Sequence, residues 1–469
     1  MQAQQLQHNA ISGFESTLIA IASTAPANGF ATNTVPLVAA VGMSGPGALL
    51  FGAIPMFGIA LAYFYLNAWR SDAGAAYSWV GRTLSPTLGF FAGWSMLIAV
   101  MLFMVVGSLP AASATLYLIA PKLATNVIAV IAVGLVWFVV VTAIVLLNVK
   151  ATAEVQKALT LFQVGALLVF AAFALWKGLG APANPPSWSW FGPIGPAGFH
   201  SFWAGALIAI FYFWGWDISS NLTEETVGRN RVPGISGIAG MLIILALFVI
   251  SQLAVQLLLT PQQMSDASSN LLVPYVQVAM SKWWGLVGIV VVIIGTIAVL
   301  EVSIVQASRT MFAMGRDRVL DERLGHLHPR FLTPWNATFV FGSVTVVLFL
   351  LAATSASVND ILKDTINSIG VLVALYYGVS GIACAVYYRN GNARSAKMFW
   401  LRGVWPLASA VFVCAVALAQ LLTAGWRADL WILILVAVGV VPMLYYRRRY
   451  ASAYYSEALE HDHAQPVSA

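Results

Sequence analysis

The chain has 469 residues, of which 60% are hydrophobic and only 9% are charged. A soluble domain carries charge on roughly 25% of its residues, so this composition excludes a soluble enzyme or binding module and predicts an all-α polytopic membrane protein. The formal net charge of +6 does not indicate nucleic-acid binding, because the basic residues are divided unequally between the two sides of a membrane. Cys384 and Cys414 lie in apolar runs and predict neither a disulfide nor a metal site.

Counting about 20 apolar residues per span, the sequence predicts about twelve transmembrane helices. Their predicted bounds are 14–40, 47–67, 88–118, 125–148, 155–176, 199–223, 234–259, 284–311, 334–354, 366–388, 399–423 and 430–446. Only Lys122, Lys177, Lys282, Lys363 and Arg427 lie in the loops of one side, so the other 18 of the 23 basic residues lie on the side of the N-terminus. The positive-inside rule then places both termini in the cytoplasm, with the protein in the cytoplasmic (inner) membrane.

The first predicted helix is interrupted near its midpoint by the segment Ser23–Gly29, which reads STAPANG. Pro26 has no backbone N–H to donate and strains the preceding turn, while the neighbouring hydroxyl and amide side chains can satisfy the freed backbone groups. A simple proline kink is the alternative interpretation of this segment.

The segment 67–94 predicts a short amphipathic helix in the plane of the membrane, with Trp69, Tyr77 and Trp79 at the lipid interface. Further along, Gln163 lies inside the fifth predicted span. It is either a functional residue or a side chain that hydrogen-bonds a neighbouring helix.

The sixth predicted helix is also interrupted. Five aromatic residues, Gly215 and Asp217 make up the run 211–217, and polar residues follow directly. An ionised Asp near the centre of a span costs about 2.5–3.5 kcal/mol, so Asp217 is expected to face a bundle interior or an aqueous cavity. Interrupted helices at corresponding positions of two halves point to a transporter binding site. The spacing fits two inverted repeats of five spans, followed by two additional helices.

Glu301 lies inside the eighth predicted span, with apolar turns on both sides. A carboxylate in that position is a functional candidate; the alternative is a buried acid that is neutral or paired with Arg309. His326 and His328 lie in the loop that follows, without a third ligand, so no metal site is predicted there. Nothing in the sequence predicts a cofactor.

These predictions divide the chain into four parts. They are a cytoplasmic N-terminus (1–13), a ten-helix transport core (14–388), two additional transmembrane helices (389–446) and a cytoplasmic tail (447–469). The tail from residue 452 onward is expected to be mobile.

Three segments together resemble the amino acid–polyamine–organocation (APC) superfamily of secondary transporters, in particular its bacterial amino acid permeases. They are DAGAAYSWVGRTLSPTLGFFAGW (72–94), GWDISSNLTEETVGRNRVP (215–233) and ASRTMFAMGRDRVLDERLGHLHPRFLTPWNA (307–337). The resemblance implies the leucine-transporter-type fold, with broken helices 1 and 6 and alternating access. In that family the backbone of the two broken helices holds the substrate. The substrate-binding residues implied for this chain are Ser23, Thr24, Ala25, Pro26, Ala27, Phe211, Phe213, Trp214 and Gly215.

Two features depart from the family pattern. The first break reads STAPANGF where the family usually reads Gly-Ser-Gly-Ile-Phe, which leaves an amine substrate open. Some proton-coupled relatives have a lysine at the position that aligns with Gln163, and a glutamine cannot carry a proton. The remaining candidates for gating or proton coupling are Asp217, next to the aromatic residues, and Glu301 in second place.

The sequence therefore predicts a permease that moves amino acids by proton symport or exchange. An amino acid/amine exchanger or a polyamine- or ethanolamine-type permease is the alternative, and a transporter-like sensor is a remote one. A membrane enzyme is disfavoured because the chain has no HExxH, no GxSxG and no paired His/Asp cluster. The sequence leaves open sodium as the coupling ion and the oligomeric state.

Overall fold

The long apolar runs form helices because a backbone inside a bilayer has to satisfy its own hydrogen-bonding groups. The computed structural model describes residues 6–147, 149–195, 198–267, 271–355, 357–390, 395–424, 426–457 and 459–460. Within these ranges the regular structure is helical, and extended residues pair only in two isolated bridges, Ile11 with Thr226 and Gly195 with Gly198.

Nineteen α-helices follow one another along the chain. They are α1 (Gly13–Ser23), α2 (Pro26–Val41), α3 (Gly45–Trp69), α4 (Ala76–Thr83), α5 (Pro86–Ile119), α6 (Val127–Leu147), α7 (Val149–Gly180), α8 (Phe199–Tyr212), α9 (Ile218–Asn221), α10 (Val232–Leu258), α11 (Pro261–Asp266), α12 (Leu272–Ala279), α13 (Trp284–Arg316), α14 (Trp335–Ala352), α15 (Val358–Tyr387), α16 (Ala396–Met398), α17 (Trp405–Ala424), α18 (Trp426–Val438) and α19 (Val440–Tyr450).

Nine helical segments in the described ranges are long and apolar enough to cross a bilayer. One of them, Gly13–Trp69, contains both the broken helix α1–α2 and the next span, α3. The pairs α8–α9 and α18–α19 correspond to the sixth and twelfth predicted spans. The prediction of an all-α protein with twelve spans and broken helices 1 and 6 is confirmed.

The centre of the bundle is formed by α5, α13 and α15, whose spans are mostly buried inside the protein. Both α13 and α15 pack along α5, while α10 packs against α1, α3 and α7. The spans of α6, α7, α14 and α17 leave most of their surface facing outward. The broken helix α1–α2 therefore lies between α10 on one side and α7 and α13 on the other.

The helix predicted in 67–94 exists as α4, but its predicted position at the lipid interface is wrong. All eight of its residues are buried, and Tyr77 and Trp79 are fully enclosed. The indole nitrogen Nε1 of Trp79 donates to the Arg70 carbonyl at 2.7 Å. Because α4 packs against α5 and α15, its aromatic side chains fill the protein interior.

The expected mobility of the tail is also wrong for its described part, which packs onto α4 and α5. The Tyr454 ring is buried and stacks on Tyr77 with 4.9 Å between ring centroids. Two glycines make room for it, since a Cβ at Gly81 or Gly89 would lie 2.0 or 2.3 Å from the Tyr454 hydroxyl. Residues 391–394, which follow the predicted boundary between 388 and 389, and the chain ends 1–5 and 461–469 lie outside the described residues.

Both ends of the described chain lie on the same face of the bundle, called the terminal face below. The Ile11 amide donates to the Glu225 carbonyl at 3.0 Å. The Glu224 side chain next to it pairs with Arg316, and the Ser452 hydroxyl of the tail donates to the carbonyl of Asp317. The terminal face is therefore the face to which α1, α13 and the tail all lead.

Candidate functional site

The first helix break lies at Thr24 and Ala25, between α1 and α2. Pro26 starts α2 at the position where a missing N–H costs nothing. Ala25 takes a left-handed conformation with a φ of 50°. The Thr24 hydroxyl donates back to the Ile21 carbonyl at 2.8 Å, which satisfies one of the last carbonyls of α1. The predicted interruption is therefore a true break in the helix and more than a kink.

The second break lies between α8, which ends at Tyr212, and α9, which begins at Ile218. Gly215 lies inside it with a φ of 116°, a conformation that L side chains rarely adopt. A Cβ at Gly215 would lie 2.2 Å from the Ser23 carbonyl oxygen. The two breaks thus touch backbone to backbone, and only glycine permits that approach.

A cavity of about 30 Å³ lies where the two breaks meet. All the residues that line it are neutral. They are Ser23, Thr24, Ala25, Asn28, Gly29, Thr32, Asn33, Phe103, Phe211, Trp214, Gly215, Ile218, Ser303 and Gln306. This volume is about that of one water molecule, so binding of any larger solute requires the wall to move.

Three aromatic rings form part of that wall. Trp214 packs edge to face on Phe103 at 5.3 Å and lies 5.9 Å from Phe211, measured between ring centroids. The indole nitrogen of Trp214 donates to the Tyr376 hydroxyl at 2.6 Å. The ring of Trp214 is therefore fixed by two aromatic neighbours and one hydrogen bond.

Asp217 lies behind the cavity wall and does not line it. Its carboxylate is buried and accepts hydrogen bonds from the Tyr377 hydroxyl at 2.7 Å, from Gln306 Nε2 at 3.0 Å and from the Tyr376 hydroxyl at 3.4 Å. Gln306 lines the cavity and Tyr376 receives the Trp214 hydrogen bond. Asp217 therefore holds in place the side chains that surround the cavity.

Glu301 is buried on α13 and faces α7. Gln156 Nε2 donates to its Oε2 and, at 2.8 Å, to the Ala298 carbonyl. Arg309 does not pair with Glu301, so that predicted ion pair is wrong. Its guanidinium instead makes two hydrogen bonds to Glu225 at 3.0 and 3.1 Å. Glu301 is thus held by an amide and has no ion-pair partner among the described residues.

Gln163 lies on α7 beside the first turn of α2, fully buried. Its Oε1 is 3.5 Å from the Ala27 amide nitrogen, a weak hydrogen bond across the two helices. Its Nε2 has no hydrogen-bond partner within the described protein. The predicted contact between this glutamine and a neighbouring helix is present.

A cluster of ion pairs lies at the terminal face. Arg316 pairs with Glu224 at 2.9 Å and with Asp72 at 3.1 Å, and Arg309 pairs with Glu225. These pairs join the end of α13 to the loop after α9 and to the loop before α4.

Six of the nine predicted substrate-binding residues line the cavity: Ser23, Thr24, Ala25, Phe211, Trp214 and Gly215. The structure does not bring Pro26, Ala27 or Phe213 to the lining; the Phe213 ring packs toward Phe248, with 6.5 Å between the centroids.

Eight residues that line the cavity are not among the predicted substrate-binding residues: Asn28, Gly29, Thr32, Asn33, Phe103, Ile218, Ser303 and Gln306. A signal for Thr32 was present, because Asn28 and Thr32 are four residues apart on an apolar helix and so share one face. Phe103 gave no signal, since a phenylalanine in an apolar span looks like any packing residue.

The described part of the chain contains no candidate metal site, because no group of three His, Cys, Asp or Glu side chains lies together there. The His328 ring nitrogen Nδ1 accepts from the amides of Arg330 and Phe331, both at 3.3 Å. Its ring stacks on Phe331 and Trp335. This histidine stabilises the loop after α13.

Residues 11–446 match the family model described as amino acid permease. The low-affinity putrescine importer PlaP of Escherichia coli (strain K12) is 26% identical over 385 residues, which covers 79% of each chain. The branched-chain amino acid permease BcaP of Bacillus subtilis (strain 168) is 24% identical over 433 residues, 87% of each chain. The methylthioribose transporter of the same organism is 28% identical over 390 residues, 77% of this chain and 80% of its own. The names of these relatives describe transport of three different kinds of small molecule.

Proposed function

The chain belongs to the amino acid permease family, within the APC superfamily, and from this premise we propose that it carries a neutral α-amino acid across the cytoplasmic membrane, coupled to protons. The family and the relatives are transporters, so the prediction of a multi-pass secondary transporter, and of no enzyme, is confirmed. The substrate, the coupling ion and the orientation belong to the proposal.

The contact between the two helix breaks, at a cavity with a neutral lining, carries the proposal for the substrate. The N-terminal end of α2 points into the break, and its partial positive charge suits a carboxylate. The C-terminal ends of α1 and α8 meet there too, and their free carbonyls suit an ammonium group. A zwitterion matches both ends at once.

The lining favours an amino acid over a diamine. A second ammonium group, as in putrescine, would need a counter-charge to be buried, because an unpaired buried charge is costly. The nearest carboxylate, Asp217, is already engaged by three hydrogen-bond donors behind the wall. Phe103, Phe211 and Trp214 offer apolar area and an aromatic face instead.

Both termini are proposed to face the cytoplasm. The described ends of the chain share the terminal face, as an even number of spans requires. The positive-inside rule assigns that face to the cytoplasm, since 18 of the 23 basic residues lie on its side by the predicted spans.

Proton coupling is supported by two carboxyl groups buried at membrane depth, Asp217 and Glu301. Buried acids inside membrane spans mark ion and proton pathways. Gln163 cannot titrate, so we propose that it fixes the first turn of α2 against α7 through its contact with Ala27.

Uptake into proteoliposomes tests the proposal. Purified protein would be given a panel of radiolabelled neutral, cationic and anionic amino acids together with putrescine. Each would be tested under an inward proton gradient, under a sodium gradient, and with vesicles preloaded with unlabelled compound. We expect accumulation of one or more neutral amino acids that requires the proton gradient and is unaffected by sodium.

Two results would contradict the proposal. Accumulation of putrescine alone would mean that the site binds an amine without a carboxylate. Uptake only into preloaded vesicles would make the protein an exchanger without proton coupling.

A further inference from the structure

The side chains of Glu301 and Gln156 form one hydrogen bond, and a second one between them requires a proton on Glu301. Gln156 Nε2 donates to Glu301 Oε2, while Gln156 Oε1 and Glu301 Oε1 have no hydrogen-bond partner within the described protein. The orientation of the amide is fixed, because the Ala298 carbonyl can only accept and receives the second N–H of Nε2 at 2.8 Å. Two buried acceptors are therefore left without a donor on the other edge of the pair.

A proton on Glu301 would remove this deficit. A carboxylic acid and a primary amide join through two hydrogen bonds, one N–H to the acid and one O–H to the amide oxygen. Protonation forms one O–H bond at Glu301 Oε1, neutralises the carboxylate and lets that O–H donate to Gln156 Oε1. Loss of the proton reverses the step, and no other bond changes.

We propose that Glu301, paired with Gln156, is the site that binds and releases the coupled proton. This inference rests on the proposed function and deepens it, since it selects one of the two buried carboxyl groups. Asp217 is excluded as the carrier because three donors already satisfy its carboxylate, as suits an anion. The Thr152 hydroxyl also forms a hydrogen bond with Glu301. Glu301 therefore has two donors, whereas Asp217 has three.

A stripe of polar residues on α7 leads away from this pair. Thr152, Gln156, Thr160 and Gln163 are spaced by four, four and three residues, which places them on one face of the helix. All four are buried, and Thr160 Oγ1 and Gln163 Nε2 have no hydrogen-bond partner within the described protein. The α7 polar stripe therefore links Glu301 to the first turn of α2, beside the substrate cavity.

No charged side chain among the described residues competes for this proton. The helices α2, α5, α6, α12 and α14, which pack on α13, carry no charged residue. Lys150 at the start of α7 lies outside the described side chains. The other charged residues on the packed helices have these partners: Glu154 with Lys157, Glu15 with Ser12, Lys177 with the Val278 carbonyl, Arg82 with Glu457, Arg309 with Glu225, and Arg316 with Glu224 and Asp72.

The test compares two modes of transport in proteoliposomes, with an equimolar mixture of radiolabelled proteinogenic amino acids as the probe. Accumulation under an inward proton gradient requires proton coupling, whereas counterflow into preloaded vesicles does not. We expect Glu301→Gln, which mimics the protonated acid, to keep counterflow and to lose accumulation. The matched control Glu322→Gln removes an exposed carboxylate that pairs with Arg318 outside the membrane, and it should behave as wild type.

The double variant Gln156→Glu/Glu301→Gln keeps an acid–amide pair with its members exchanged. It should recover gradient-driven accumulation that Glu301→Gln lacks. The double variant also tests the inference if Glu301→Gln does not fold. A folded double variant that shows counterflow without accumulation would overturn the inference.

The failures of the two proposals are distinguishable. If wild type accumulates the amino acids and Glu301→Gln does so equally, only this inference is wrong. If Glu301→Gln elutes as a folded protein and loses counterflow as well, Glu301 has a structural role and the inference is wrong. If wild type shows counterflow and no accumulation, the proton coupling of the proposed function falls, and this inference falls with it.

Discussion

The two carboxyl groups buried at membrane depth have opposite surroundings. Asp217 lies beside the second helix break, and three side chains from α13 and α15 donate to it. Glu301 lies on α13 against Gln156 of α7, and Oε1 of its carboxyl has no partner within the described residues. A buried carboxylate that is fully hydrogen-bonded is stable as an anion, whereas one that lacks donors favours its neutral form.

The comparison teaches that neighbours in sequence do not decide which acid is available for chemistry. From the sequence alone, Asp217 is the stronger functional candidate, because it follows a run of aromatic residues. The donors that hold it, Gln306, Tyr376 and Tyr377, come from distant segments. We therefore propose a positioning role for Asp217 and the role of proton carrier for Glu301.

Gly215→Ala is expected to have the largest effect, because it separates the two breaks on which the Asp217 region is built. The new Cβ would lie 2.2 Å from the Ser23 carbonyl oxygen, and the φ of 116° is strained for any L side chain. We expect counterflow and accumulation both to fall to background. The matched control is Gly165→Ala on α7, where a Cβ meets open space. Normal transport by both variants would show that the contact between the two helix breaks is not needed for transport.

Asp217→Asn should have the next largest effect and should differ in kind from Glu301→Gln. The new amide would direct N–H groups at the donors of Gln306 or Tyr377. A buried donor left unpaired costs about 1–3 kcal/mol, so counterflow should fall about tenfold together with accumulation. Normal counterflow with loss of accumulation alone would make Asp217 the proton carrier and reverse the comparison.

Tyr454→Ala sharpens the comparison, since it removes a buried ring that stacks on Tyr77 and forms no hydrogen bond with either acid. Loss of a buried aromatic ring costs up to about 3–5 kcal/mol in a rigid core, and less at this peripheral slot. We expect the melting temperature of the purified protein to fall by several degrees, with the proton dependence of transport unchanged. A changed proton dependence would mean that the tail takes part in coupling.

The smallest effect is expected at Asp317, the acid at the terminal end of α13. Burial and the nearby Asp72 carboxylate raise the pKa of Asp317 to about 6, from an ordinary value of about 3.9. A raised pKa in the folded state gives stability that is present below about pH 4 and is lost as the pH rises through about 6.

The wild-type melting temperature should therefore fall slightly between pH 5 and pH 7, by about 2 °C from this group. Asp317→Asn still accepts the Tyr77 hydroxyl, 3.0 Å away in wild type, and should lack that part of the fall. An identical pH dependence in both proteins would show that Asp317 titrates normally.

Much of the fold could be predicted from the sequence, for a physical reason. Apolar length fixes the spans, and Pro26 and Gly215 mark the breaks because each residue disturbs a helix by its own backbone. The part of the site that lies at the two helix breaks could also be predicted, and it includes Ser23, Thr24, Ala25 and Gly215.

The remainder depends on contacts between distant segments. Phe103 and Gln306 reach the cavity from α5 and α13, and no local pattern specifies that approach. The same holds for Arg309, whose partner is Glu225 on another element and not Glu301 on its own helix. Tyr454 fills a slot between two glycines of other segments, which a tail sequence alone does not reveal.

Labelling of wild-type protein with N,N′-dicyclohexylcarbodiimide tests the difference between the two acids most directly. This reagent modifies protonated carboxyl groups in apolar surroundings, and peptide mass spectrometry identifies the modified residue. The account predicts modification of Glu301 that decreases as the pH is raised, with Asp217 unmodified in the same sample. Modification of Asp217 with Glu301 unmodified would contradict it.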